Sequence, residues 1–473
     1  MQFVDKDLKS IQEARILVES ARDAQSLLKE YDQTTIDRMI NEIINEVKKE
    51  LPELVTFEMT ETNKGKKEDK LFLWEKFLAE LTDSLNEKVI GILDGENTKE
   101  FKKIGVPLGV IVVILPAENV LLNALFVSLS ALKAGNTIIF VPQPKTEQLV
   151  FKLVEVIQRT NPGFPKTSIS WMENTTVEGV EALIDQKAVA LVINIDTPAY
   201  FDLKTSQKPS IYGGIGSTPV FVERSANIVE AAQNIIKSRS FDNGLLPAAE
   251  QFVIAESVIV QELKAAMINA GAYFMSAEEE GKLLKQLFLG TEVNPAIIGE
   301  NAKTLAKLAG FNVPTETKVL VSEQPYIFDE NPFTTALKCP ILTFYLEADW
   351  IHACDKCIQL LKEKQNGHTL AIHSNNPTVI KEFALKKPVG RMIVNAGAGF
   401  AGIGLDSDLP VSLILGGITT NRGFTAKNIT AKDLTYERAI SFGKAVKETV
   451  TKKMGVSEEQ VLFEKILKKL MEQ

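Results

Sequence analysis

The chain has 473 residues, 45% hydrophobic and 24% charged, with a net charge of −8, which fits a large-cored globular protein of two or three domains. An acidic chain without a sustained basic run is a poor binder of nucleic acid or anionic membrane. Three cysteines, odd in number and late in the chain, indicate a reducing cytoplasm rather than a disulfide scaffold, and Met1–Glu30 mixes acids and bases in a way no signal peptide does.

Asp7–Glu50 reads as two amphipathic helices, with Ile11, Ala14, Val18 and Ala21 and then Ile36, Met39, Ile43 and Val47 at helical spacing. A third helix is expected from about Glu68 to Glu87. The longest apolar run, Ile104–Ala117, contains Pro107 and is too short to span a bilayer, so it is expected to be a buried strand. Strands and helices then alternate: strand Val110–Leu115, helix Val120–Lys133 closed by Gly135, strand Thr137–Val141, helix Glu147–Thr160 and strand Val189–Ile195. After Gly244 a second set follows, with strands at Gln251–Val258, Ile341–Tyr345 and Thr369–His373 and a helix at Asp349–Lys364. Short β-branched strands alternating with helices predict βαβ units around parallel sheets. Ser457–Gln473 is a separate amphipathic helix, with Ser457 and Gln460 placed as a capping box and Val461, Leu462, Ile466, Leu467, Leu470 and Met471 on one stripe.

The segment Phe241-Asp242-Asn243-Gly244-Leu245-Leu246-Pro247-Ala248-Ala249-Glu250-Gln251 resembles the nucleophile segment of the aldehyde dehydrogenase superfamily, in the F-D-N-G-x-x-C-A-S-E-Q form of its CoA-acylating branch. Glu61, Gly65 and Glu68-Asp69-Lys70 are similar to E-S-G-x-G-x-x-E-D-K, and Pro107-Leu108-Gly109-Val110-Ile111 to P-x-G-V-I. Pro116-Ala117-Glu118-Asn119 stands where that branch has P-T-T-N, and Gly214-Ile215-Gly216-Ser217-Thr218-Pro219 resembles G-A-G-N-T-P. Gly367-His368-Thr369 and Arg391-Met392-Ile393-Val394-Asn395 also match. The 28 residues from Pro219 to Pro247 equal the branch's distance from this proline to its cysteine.

The resemblance implies an α/β, aldehyde dehydrogenase-like fold. A Rossmann-like cofactor-type domain is expected over 1–240, a catalytic-type α/β domain over 241–410, a return segment with an oligomerisation arm over 411–456, and a terminal helix over 457–473. It implies NAD and CoA as cofactors, and a homodimer or larger oligomer. The chemistry of the branch needs a thiolate nucleophile, an oxyanion donor, a glycine-lined cofactor loop and a glutamate on the nicotinamide ribose. The nucleophile position holds Pro247, which has no nucleophilic atom, and the oxyanion position keeps Asn119. At the NAD-site positions Gly214 and Gly216 remain, but the loop has Asp196 and Thr197 for two glycines, and Ala336 stands for the ribose glutamate. Gly213 replaces the glutamate with which hydrolytic relatives activate water.

Two functions follow. One is a catalytically inactive homologue with a structural, regulatory or heteromeric-subunit role, its terminal helix packing against the body or a sister subunit, or else docking on an active paralogue or a protein shell. The other is an acylating enzyme that turns a short aldehyde into acyl-CoA through another nucleophile, Cys339. His352, Cys354 and Cys357 spell H-x-C-x-x-C, but they lie on one expected helix with no second ligand pair, so no metal site is expected. His368 is expected to be structural.

Overall fold

The computed structural model describes residues 5–95, 97, 101–195, 208–290, 292–327, 332–363, 367–420, 423–442 and 456–471. Three helices open the chain: α1 Lys6–Leu28, α2 Gln33–Thr62 and α3 Lys67–Ser84. Helix α2 runs on past Glu50 through Pro52, because Leu51, Leu54 and Val55 continue its buried stripe. Tertiary burial there outweighs the hydrogen bond that proline removes.

The run Ile104–Ala117 is two strands, not one. Strand β1 (Gly91–Ile92) pairs antiparallel with β2 (Phe101–Pro107), and the chain reverses at Gly109 (φ 122°) before β3 (Val110–Ile114). Pro107 has no N–H for a further ladder bond, and only glycine adopts that φ without strain. Helix α4 (Val120–Lys133), β4 (Thr137–Val141), α5 (Glu147–Thr160), β5 (Ile169–Trp171), α6 (Val177–Ile184), β6 (Val189–Asn194) and β7 (Ser210–Tyr212) complete a five-stranded parallel sheet ordered β5-β4-β3-β6-β7. Strands β3 and β4 are buried along their whole length, as strands covered on both faces must be.

The second sheet has seven parallel strands. Its elements are β8 Thr218–Val222, α7 Ile228–Ser240, β9 Glu250–Glu256, α8 Val260–Ala270, β10 Ala272–Phe274 and α9 Ala277–Leu287. After a small hairpin of β11 (Phe288–Leu289) and β12 (Glu292–Val293) come α10 Ala302–Leu308, β13 Val319–Glu323, β14 Ile341–Glu347, α11 Trp350–Glu363, β15 Thr369–His373, α12 Pro377–Lys386, β16 Arg391–Val394 and the short α13 Ala398–Ala401. The order is β10-β13-β14-β9-β8-β15-β16. The change of sheet therefore comes before residue 240. Strand β8 already pairs with β9 and β15, and Ile228, Ala231, Ala232 and Ile235 of α7 pack with Val220 and Val253. Pairing partners are set by long-range packing, which strand periodicity does not carry.

Past residue 410 the chain returns: Val411, Leu413, Ile414 and Leu415 pack into the core beneath the first sheet. Strand β17 (Thr435–Ser441) then lies along β2 in a three-stranded antiparallel sheet, its residues half-buried or exposed. The terminal helix α14 (Val456–Met471) sets Phe463 6.3 Å from Phe442, while Val461, Leu462, Leu470 and Met471 stay exposed. The side chains of Ser457 and Gln460 lie outside the described residues.

Candidate functional site

A cavity of about 40 Å³ opens where the C-terminal end of β3 meets the stretch before β9, room for roughly three waters. Asn119 and Pro247 both line it, with Glu118, Gly213, Gly214 and Ile195. The Pro247 carbonyl accepts a hydrogen bond from the Gly216 N–H at 2.9 Å. A side chain on Gly216 would overlap the His368 ring, and one on Gly213 would overlap Ile414. Ala336 is half-buried and does not line the cavity, although its neighbour Lys338 reaches in to Glu118. Asp196 and Thr197 lie outside the described residues.

Asn119 sits at φ 50°, ψ 40°, immediately before α4. Its Oδ1 accepts from Lys70 Nζ, and that ammonium also bonds Asp242 Oδ2 at 2.9 Å. Lys70 and Asp242 are wholly buried. Burial raises the Asp242 carboxyl, opposed by Lys70, the Lys66 N–H and Asn119. The amide of Asn119 is therefore engaged by this buried pair. Asp242 Oδ1 accepts from the Lys66 N–H at 2.8 Å, and the Asp242 N–H donates to Asp69 Oδ2 at 2.9 Å. Asn243 donates to the Gly65 and Gly299 carbonyls at 3.2 and 2.7 Å. Thus E-D-K and F-D-N-G, far apart in sequence, are stitched into one network beneath the cavity. Glu58 lies close by, its Oε1 accepting from the Leu121 N–H at 3.2 Å; burial raises its carboxyl despite Lys70.

The other end of the nucleophile-like segment is also held. Glu250 Oε1 accepts from the Ala398 N–H at 2.6 Å. Gln251 donates to the Phe333 and Thr335 carbonyls at 3.1 and 2.6 Å and accepts from the Leu337 N–H at 2.9 Å. It thereby fixes the loop that carries Ala336.

The Cys339 thiol is fully buried among Leu283, Leu287, Phe333 and Leu337, and is absent from the cavity wall. Burial pushes it up to about 12, against the pull of Arg239. A thiol in that setting stays protonated and unreachable. On α11, Cys354 and Cys357 face the core whereas His352 is exposed and bonded to Asp349, so the three do not converge. His368 is buried, and burial with the Arg391 charge pushes it down to about 3, leaving a neutral ring.

Sequence reading passed over Glu118. It is almost fully buried and pairs with Lys338 at 2.8 Å and Lys64 at 3.9 Å. Burial works against its charge, but Lys338, Lys64 and Lys70 outweigh it and hold the carboxyl below its usual range. The signal was available: a glutamate occupies a threonine position of P-T-T-N.

Residues 7–308 match the family model described as "Aldehyde dehydrogenase family". The bifunctional aldehyde-alcohol dehydrogenase of Escherichia coli (strain K12) is 28% identical over 442 residues, which are 91% of this chain and 50% of that protein. The chain spans about half the length of the aldehyde-alcohol dehydrogenases it matches. Among solved structures, an acetylating aldehyde dehydrogenase from Geobacillus thermoglucosidasius is 31% identical with a TM-score of 0.87. A probable aldehyde dehydrogenase from Listeria monocytogenes EGD-e is 34% identical with a TM-score of 0.88. Each covers 93% of this chain, which in turn covers 98% of each.

Proposed function

This chain belongs to the aldehyde dehydrogenase family, and we propose that it is a non-catalytic member of the CoA-acylating branch, kept as a structural, regulatory or heteromeric subunit. The observation that carries this reading is Pro247 at the wall of the cavity, where the branch places its thiolate. Acyl transfer to CoA through an enzyme thioester needs that sulfur to attack the aldehyde carbon, lose hydride to NAD and then yield the acyl group. Proline supplies no atom for the first step, and it also lacks the N–H that would help hold an oxyanion.

The cofactor fares no better. Ala336, at the position of the branch's ribose glutamate, has no side-chain acceptor for the ribose. In sequence, Asp196 and Thr197 replace two glycines of the branch's cofactor loop. These substitutions weigh against NAD binding. The competing reading, turnover through Cys339, is not favoured by a thiol sealed in an apolar cluster. A non-catalytic subunit acts through contacts: a second copy along the β2–β17 sheet, or an active paralogue or protein shell on the exposed stripe of α14. Among the described residues no helix is long and apolar enough to cross a membrane, and a cytoplasmic setting fits the unpaired, buried cysteines.

The test is NADH formation from acetaldehyde or propionaldehyde with CoA, alongside NADH binding by fluorescence. Neither turnover nor micromolar binding is expected. Robust turnover that disappears in Cys339→Ser would overturn the proposal and make that cysteine the nucleophile.

A further inference from the structure

We propose that Cys354 and Lys387 form a peroxide-sensitive modification site, at which oxidation joins the lysine nitrogen to the cysteine sulfur. Cys354 lies on α11, and Lys387 caps the C-terminal end of α12. Lys387 Nζ donates to Cys354 Sγ; the lysine is 8% exposed and the cysteine 4%. The lysine stem runs over Phe383, one helical turn earlier, with Nζ 4.2 Å from the ring centroid, and Phe383 is itself stacked on Phe221 at 5.0 Å. Aromatic packing thus aims Nζ at the sulfur. The neighbouring Lys356 and Lys386 pair with Glu347 and Glu382. Lys387, more enclosed than either, has no carboxylate partner among the described residues, and its polar contact is the thiol. Buried cations otherwise take a carboxylate, so this pairing is unlike those around it. Cys339 and Cys357 are fully enclosed, and burial pushes both thiols up to about 12. Cys354 is the one of the three with both a slight opening to solvent and an amine against its sulfur.

The step balances with hydrogen peroxide as the oxidant. Peroxide transfers one oxygen to Sγ, giving a sulfenic acid and one water. The Nζ lone pair then attacks Sγ, the S–O bond breaks, and the hydroxyl leaves with an amine proton as a second water. Sulfur has lost two electrons and peroxide has gained them. The product is a sulfenamide, a known fate of a sulfenic acid that meets nitrogen. Two thiols of a reductant return it to thiol and amine, becoming a disulfide themselves. The site does not depend on whether the chain turns over an aldehyde.

Mass spectrometry of the full-length, unsubstituted chain tests this. Hydrogen peroxide is titrated upward from stoichiometric amounts, the protein is digested without reductant, and the first cysteine product to form is identified. It should be a pair of peptides joined at Cys354 and Lys387, lighter than their sum by two hydrogens and lost on treatment with dithiothreitol. Cys339 and Cys357 should still be thiols at that point. A link heavier by one oxygen, which consumes a second peroxide and releases a third water, would support the same site. In Lys387→Met no link can form, so Cys354 should run on to the sulfinic acid, and the thiol recovered by dithiothreitol should fall about tenfold or more. The decision does not need that variant to fold, because the link is read on the native chain. A first product with Cys354 oxygenated and Lys387 unmodified, a Cys354–Cys357 disulfide, or oxidation of Cys339 ahead of Cys354 would each overturn the site. So would a Cys354 thiol that survives complete oxidation of the exposed Met471.

Discussion

The two ends of the segment 241–251 and its middle have met different fates. At the ends, Asp242, Asn243, Glu250 and Gln251 each hydrogen-bond to backbone or charge elsewhere in the framework. In the middle, Pro247 touches the cavity and contributes to that framework only its carbonyl, which accepts from Gly216. The motif that identifies the family is thus two structural clamps around one chemical position, and here the clamps persist without the chemistry. Function must be argued from the position between them. The same division runs through Arg391 and Asn395 of the R-M-I-V-N match. Arg391 donates to the Leu415 and Ala426 carbonyls at 2.7 Å each, and Asn395 joins the Ser374 backbone.

The contrast breaks first if the clamps prove weak. Asp242→Ala leaves the Lys70 ammonium buried without its carboxylate and strips the acceptor from the Lys66 N–H. A loss of roughly 3–5 kcal/mol is expected by chemical denaturation, and a loss below about 1 kcal/mol would show the network to be ornamental.

Glu250 tests the other clamp through pH. Burial pushes its carboxyl up from 4.5 to about 7. The folded chain then keeps a proton that the unfolded chain releases, so this contribution is full below the unfolded value and is lost as pH rises through about 7. The native protein should lose up to about 3 kcal/mol over that interval. Glu250→Gln keeps the shape without the titration, so its stability should vary correspondingly less across the same interval in urea melts. Parallel pH profiles for the two proteins would remove Glu250 from the account.

The smallest effect belongs to the middle. Pro247→Ala should change stability by no more than about 1 kcal/mol, since the carbonyl bond to Gly216 survives. A larger loss by thermal or chemical denaturation would mean that proline at this position is itself a structural element, erasing the distinction between clamp and middle.

Sequence by itself determined the alternation of strands and helices, the family, and the absence of sulfur at residue 247. Those follow from side-chain periodicity, and from an ordered series of motifs whose spacing a single chain displays. It also put Asn119, Pro247 and Ala336 near one another; the first two line one cavity and Ala336 does not. Only the tertiary structure decided that Ile104–Ala117 is cut into strands of different sheets, that β8 joins the second sheet ahead of residue 240, and that the Asn119 amide is engaged by Lys70 and Asp242. It likewise turned Glu118 from an unremarked departure into a charge bridging two units. The physical reason is common to all four. Pairing, burial and electrostatic partnership depend on residues tens to hundreds of positions away, while periodicity and motif spacing report only what the chain does locally.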